Sequence, residues 1–136
     1  MNERGSITLW VLGLTVMVLF LGGISLDLWR AFELREDLAA MADSAANAGA
    51  SRVDGAAYRE TGDLQLDGPA AAAAADANLD AQQDSERITS RAITSTGPVL
   101  TVQLLGEVEF TLLRIFLGAG SVTITATGSA EAIPAP

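Results

Sequence analysis

The chain has 136 residues, a formal net charge of −9, and neither cysteine nor histidine, which excludes disulfides, thiolate nucleophiles and zinc sites of the usual kinds. Its length allows one small domain beside an anchor, with a modest core. In residues 1–30 Glu3 and Asp27 balance Arg4 and Arg30, so the acidity lies wholly in the remainder; such a domain repels phosphate backbones, and no nucleic-acid partner is expected.

From Ser6 to Leu26 there is no charged residue. As a helix, the twenty residues 7–26 would span about 30 Å, the thickness of a bilayer's hydrocarbon core. Trp10 and Trp29 sit near the two ends, as interfacial aromatics do, and Arg4 on one side and Asp27 and Arg30 on the other bracket the span with charge. Two alternatives compete with a membrane anchor at residues 1–30. A buried helix of a soluble protein would need a larger chain to surround it. A cleaved signal sequence would have a shorter apolar run and a small-residue cleavage site, which Leu26-Asp27-Leu28-Trp29-Arg30 does not offer. The reading is an uncut anchor with membrane lipid as its surroundings. Arginines near the two ends are almost balanced, so orientation rests on the short N-terminal flank and the large acidic C-terminal part, which favour the N-terminus inside.

The helical pattern continues past the span into residues 31–50, rich in helix formers and free of proline. Leu34, Leu38, Met41, Ala45 and Ala48 recur at 4-3-4-3 spacing and form one face. Beside them runs a strip of small residues, Ala39, Ala42, Ala46 and Gly49, which would let another backbone approach closely. The strip fits either the chain's own later segment or a partner helix, in an oligomer with itself or with another chain.

Residues 51–68 read as a polar, glycine-containing loop. Pro69 suits the first turn of a second helix running to about Gln83. Beyond it the period changes. Residues 87–94, 99–109 and 121–127 carry β-branched residues and partial or clean alternation, the signature of strands, and the apolar stretch Phe110–Gly118 reads as a short amphipathic helix or turn. The fold class is therefore α+β: one N-terminal transmembrane helix continuing into a long helix, a second helix, and a small antiparallel sheet, with residues 69–131 as an α+β unit outside the cytoplasm and residues 132–136 as a tail.

No catalytic, cofactor-binding or metal constellation emerges. There is no histidine base, no cysteine nucleophile, no phosphate-binding glycine motif and no Asp-rich calcium loop. Glu107 and Glu109 share a strand face, an arrangement far more common on a solvated edge than in acid–base chemistry. No enzyme activity and no cofactor are expected.

Glu3-Arg4-Gly5-Ser6, the apolar span, Ser25-Leu26-Asp27-Leu28-Trp29-Arg30, and then Leu38-Ala-Ala-Met-Ala-Asp43-Ser-Ala-Ala-Asn-Ala-Gly49-Ala50 together resemble the TadE/TadG-like proteins of the Tad (Flp) pilus apparatus. The likeness is closest to the TadG-like N-terminal segment and covers about fifty residues. It implies a pilus-assembly accessory or minor pilin-like component, anchored in the bacterial cytoplasmic membrane and working with other pilus or secretion components. Longer TadG-like chains continue into a large further domain, whereas this sequence stops at Pro136, and the resemblance then implies a role like that of the shorter TadE class or of an actinobacterial-type variant. The alternative is an exported, membrane-anchored envelope protein with an unrelated binding or signalling role. Type IV pilins are cut after a glycine preceding the apolar segment and usually carry Glu at the fifth mature position. Cutting after Gly5 would place Trp10 there, and no carboxylate lies between Ser6 and Leu26, so Gly5 is expected to remain uncut.

Overall fold

The computed structural model describes residues 3–118 and 120–133, with the side chains of residues 3 and 4 left aside. The flanking charge of Arg4 and tail residues 134–136 lie outside the described residues.

One helix, α1 (Glu3–Ala50), runs without a break through 48 residues, about 72 Å at 1.5 Å per residue. No proline interrupts it, and Thr15 and Ser25 return their hydroxyls to carbonyls four residues back. Its two halves live in different surroundings. From Gly5 to Leu26 nearly every side chain is exposed; Leu34, Leu38, Met41, Ala42, Ala45, Ala46 and Ala50 are buried. Among the described residues, α1 is the one helix long and apolar enough to cross a membrane.

The remaining elements wrap the packed half. They are α2 (Gly55–Thr61), α3 (Gly68–Asp80), strands β1 (Ile88–Thr96), β2 (Val99–Glu109) and β3 (Ser121–Glu131), and the short helix α4 (Leu113–Leu117) between β2 and β3. The α+β class with a small three-stranded antiparallel sheet is as expected. Residues 51–68 are more ordered than a plain loop. The Asp54 carboxylate accepts the N–H groups of Ala56 and Ala57 to start α2, and Gly62, in the left-handed region at φ 77°, ends it. Seven residues are too few for a periodicity signal. Asp67 caps α3 by accepting the N–H of Ala70, with Pro69 in its first turn. That helix ends at Asp80, a few residues before the expected boundary.

The sheet is a meander in the order β1-β2-β3, both pairings antiparallel. The β1–β2 hairpin closes through Gly97-Pro98. Gly97 takes φ 58° and proline's ring forbids a positive φ at the next position, the combination a type II′ turn requires. On β2, Leu100, Val102, Leu104 and Val108 face α1 while Gln103, Glu107 and Glu109 face solvent; on β3, Thr123, Thr125 and Thr127 take the outer face. Leu38, Leu79, Leu100 and Leu104 are fully buried, each contributing about 1.5–3 kcal/mol by removal from water.

The small-residue strip is filled by the chain itself. Ala42, Ala46 and Gly49 are buried and Ala39 is half-buried. A Cβ placed on Gly128 of β3 would lie 2.5 Å from both the Ala42 carbonyl carbon and the Asp43 nitrogen; one on Gly49 would lie 2.7 Å from the Ala71 carbonyl oxygen in α3 and 2.1 Å from Leu100 Cδ2. Backbone therefore meets backbone on both sides of the strip. Of the two readings of the strip, the structure shows contact with the chain's own later segments: β3, β2 and α3 lie against it. Ion pairs from Arg87 to Asp37 and from Arg91 to Asp76 (3.3 Å) and Asp80 (2.9 Å) tie β1 and the turn before it to the helices.

Ala42→Leu and Gly128→Ala should each lower stability in chemical denaturation by about 1–3 kcal/mol, as overpacking does, whereas Glu36→Gln, on the exposed face, should stay within about 0.5 kcal/mol. Equal denaturation midpoints across the three variants would show that the helix–sheet approach is loose.

Candidate functional site

Where the bare half of α1 gives way to the packed half, four features converge: Asp27, Arg30, the start of α4, and Gly23 with Phe20. Asp27 is 1% exposed and is the one charged residue buried among the described residues. Its carboxylate accepts the N–H of Thr111 at 3.1 Å through either oxygen, of Leu112 at 2.7 Å and of Leu113 at 2.8 Å. These are the donors that a helix start leaves without internal partners. Leu112, the residue preceding α4, provides no side-chain cap of its own. Asp27 therefore supplies the cap from more than eighty residues away in sequence.

Arg30, one turn further along α1, has its Nη1 3.6 Å from Asp27 Oδ1 and donates to the Thr111 hydroxyl at 3.3 Å. It is half exposed, so its charge stays in contact with solvent while it neutralises the buried one. The N–H of Leu113 foremost, against the opposing cost of burial, together with those of Thr111 and Leu112 and the charge of Arg30, hold the Asp27 carboxyl below its ordinary value of 3.8.

On the α1 side, α4 lies against small and aromatic residues. A Cβ on Gly23 would fall 1.9 Å from Leu112 Cδ1, whereas one on Gly22 would meet nothing within 4 Å. Glycine at position 23 thus makes the seat for Leu112. The rings of Phe20 and Phe116 meet edge to face with centroids 6.3 Å apart.

The other residues singled out in the sequence are not brought together. Trp10 and Trp29 are 79% and 69% exposed and stand 19 positions apart on α1, about 28 Å along the axis. Asp27 and Arg30 do meet, joined by Thr111. Glu107 is hydrogen-bonded by the Ser121 hydroxyl on the outer face of the sheet, and among the described residues no group of acidic side chains is arranged to hold a metal. Sequence reasoning missed Gly23, Leu112, Phe116 and the N–H groups of residues 111–113. The adjacent pair Gly22-Gly23 at the end of an apolar span was the available signal for a close approach.

The Asp-x-x-Arg unit whose geometry has just been described falls inside a recognisable segment. Residues 5–52 match the family described as "Putative Flp pilus-assembly TadE/G-like". The match covers the bare half of α1, Asp27 and Arg30, and the packed half with its small-residue strip, and ends just after α1. No curated protein and no solved structure matches the chain. All but the last two residues of the matched segment thus lie on one helix, and the residues that complete its contacts come from the part of the chain beyond it.

Asp27→Ala should expose the N–H groups of Thr111, Leu112 and Leu113, and their hydrogen exchange should quicken by about tenfold or more, as expected when a charged acceptor is lost. Asp27→Asn, with a single acceptor oxygen and no charge, should fall between. Because the folded carboxyl titrates below 3.8, the stabilisation it gives is fully present above that pH and is lost as pH falls through the lower folded value. Acid unfolding of Asp27→Asn should lack this component. Unchanged exchange at residues 111–113 in Asp27→Ala would remove the capping role.

Proposed function

We propose that the protein is a membrane-anchored accessory or minor pilin-like component of a Tad/Flp-type pilus assembly or secretion system. In this reading residues 7–26 cross the bacterial cytoplasmic membrane, the N-terminus lies in the cytoplasm, and the sheet and α3 stand outside. The observation that carries it is the coincidence of two boundaries. The TadE/G-like match at residues 5–52 lies on one helix whose first half is bare and apolar and whose second half is the core of a folded domain.

A bare apolar helix of about 30 Å costs too much in water to stand there alone and suits a bilayer. The spacing of Trp10 and Trp29, with Asp27 and Arg30 at the same end as Trp29, suits the two interfaces. The partners of this reading are membrane lipid and other pilus or secretion components, and it assigns no catalysis. With the small-residue strip occupied internally, contacts with partners fall to the exposed surface of the domain.

A second reading, an exported envelope protein with an unrelated binding role, draws on one observation. A cleft of about 640 Å³ at the far end of α1 is lined by Asn47, Ser51, Val53, Tyr58, Leu64 and Glu131. Ala50 and Ile133 complete the lining, which is more apolar than polar, and among the described residues no buried side-chain polar atom lacks a hydrogen-bond partner.

Two measurements separate the readings. A reporter active only outside the cytoplasm, fused after Pro136, should be active, and a cytoplasmic one silent; the reverse pattern overturns the orientation. Mild crosslinking in native membranes should capture pilus-assembly components with the full chain. Capture of none of them, with the topology as stated, favours the second reading.

A further inference from the structure

We propose that α4 is a second membrane contact: a short apolar wedge that enters the outer leaflet beside the spanning helix and holds the domain down on the bilayer. The inference rests on the anchor reading above.

The helix is Leu113-Arg114-Ile115-Phe116-Leu117. Its consecutive large side chains Ile115, Phe116 and Leu117 are 62%, 65% and 58% exposed. Three exposed large apolar residues in a row form a patch that a free aqueous domain seldom presents. None of the exposed large apolar residues among the described ones lies on a strand, which sets this patch apart from the sheet.

Continuity with the bare half of α1 decides what covers the patch. Phe116 packs on Phe20, and Leu112 sits on Gly23; both α1 residues belong to the apolar span. Phe20 lies six positions before Leu26, about 9 Å inside the end of that span. Side chains on a helix lean toward its N-terminus, which carries the Phe20 ring further in. Even if the whole 6.3 Å between the rings ran along the helix axis, Phe116 would remain about 3 Å inside the hydrocarbon edge. A chain that buries residues 7–26 in lipid therefore buries Phe116 with them.

The remaining chemistry agrees. The one charged residue of α4 is Arg114, exposed, a side chain long enough to keep its head at the interface while its stem stays in apolar surroundings. The helix start, whose N–H groups would be costly to bring toward lipid unpaired, is satisfied by Asp27. Gly118, in the left-handed region at φ 69°, donates its N–H to the Arg114 carbonyl and turns the chain back toward β3.

The test uses the full chain in phosphatidylcholine vesicles whose acyl chains carry bromine, a quencher of tryptophan. The chain has two tryptophans, Trp10 and Trp29. With Trp29→Phe, Trp10 alone reports the anchor. With Trp10→Phe and Trp29→Phe, a reporter introduced by Phe116→Trp reads the wedge, Leu117→Trp repeats the reading at a side chain that makes no ring contact, and Tyr58→Trp reads the far end of the domain. Trp10 and the Phe116→Trp and Leu117→Trp reporters should lose most of their fluorescence to brominated lipid. The Tyr58→Trp reporter should lose its own only to acrylamide in the water. Quenching of both α4 reporters by acrylamide alone, with Trp10 quenched by lipid, overturns the wedge and leaves the anchor standing. Shielding of both from either quencher also overturns it, in favour of a second copy or another protein on the patch. A Trp10 that brominated lipid does not quench overturns the anchor and, with it, the wedge.

Discussion

The carboxylate of Asp27 closes the structure at the point where α1 leaves the sheet. A charge buried to this degree is tolerated only when it is fully hydrogen-bonded and neutralised nearby. Here three backbone N–H groups and Arg30 do both. The bonds are charge-assisted and two of them are short, so this contact is stronger than any neutral pair at the same place would be. It also settles geometry. Because the accepted groups are the first donors of α4, Asp27 fixes where the chain between β2 and β3 must turn, and so brings Leu112 onto Gly23 and Phe116 onto Phe20.

The rest of the domain follows a complementary rule: bulk is replaced by close approach. The packed half of α1 is largely alanine on its buried face, and α3 buries Ala71, Ala75 and Leu79. Alanine removes little apolar surface per residue, so the contacts must be near to count. Gly49 and Gly128 permit this, one letting α3 touch α1, the other letting β3 touch it. The few large residues, Leu38, Leu100 and Leu104 above all, then fill the centre between helix and sheet. A core of this kind has little room for added methylene groups and depends on the continuity of α1.

That continuity carries mechanical meaning for the proposed role. In that role one unbroken helix would be both membrane span and domain core, and a tilt or displacement of the span would be a displacement of the domain. The Asp27 contact stiffens the joint further by bridging α1 to the sheet through α4. A freely swinging domain would need a linker at this position; the residues here are helical, capped and paired instead.

Much of this was legible in the sequence. The charge-free run, the alanine-rich continuation without proline, Pro69 at the start of α3 and the alternation in β2 and β3 are local patterns, and each corresponds to an element of the structure. Asp27 and Arg30 were visible as charges at the end of the span, although not that they pair or what they hold. Local pattern could not reach further. The seven residues of α2 are too few to show a period. The small-residue strip announced close approach and left its occupant open, because any backbone can fill such a strip. Only the tertiary structure decided that β3, β2 and α3 fill it, and only the tertiary structure brought Asp27 to N–H groups more than eighty residues away. The physical reason is the same in both cases. Periodicity is written along one element by its own geometry, whereas a cap or a close contact between distant elements depends on the path of all the chain between them.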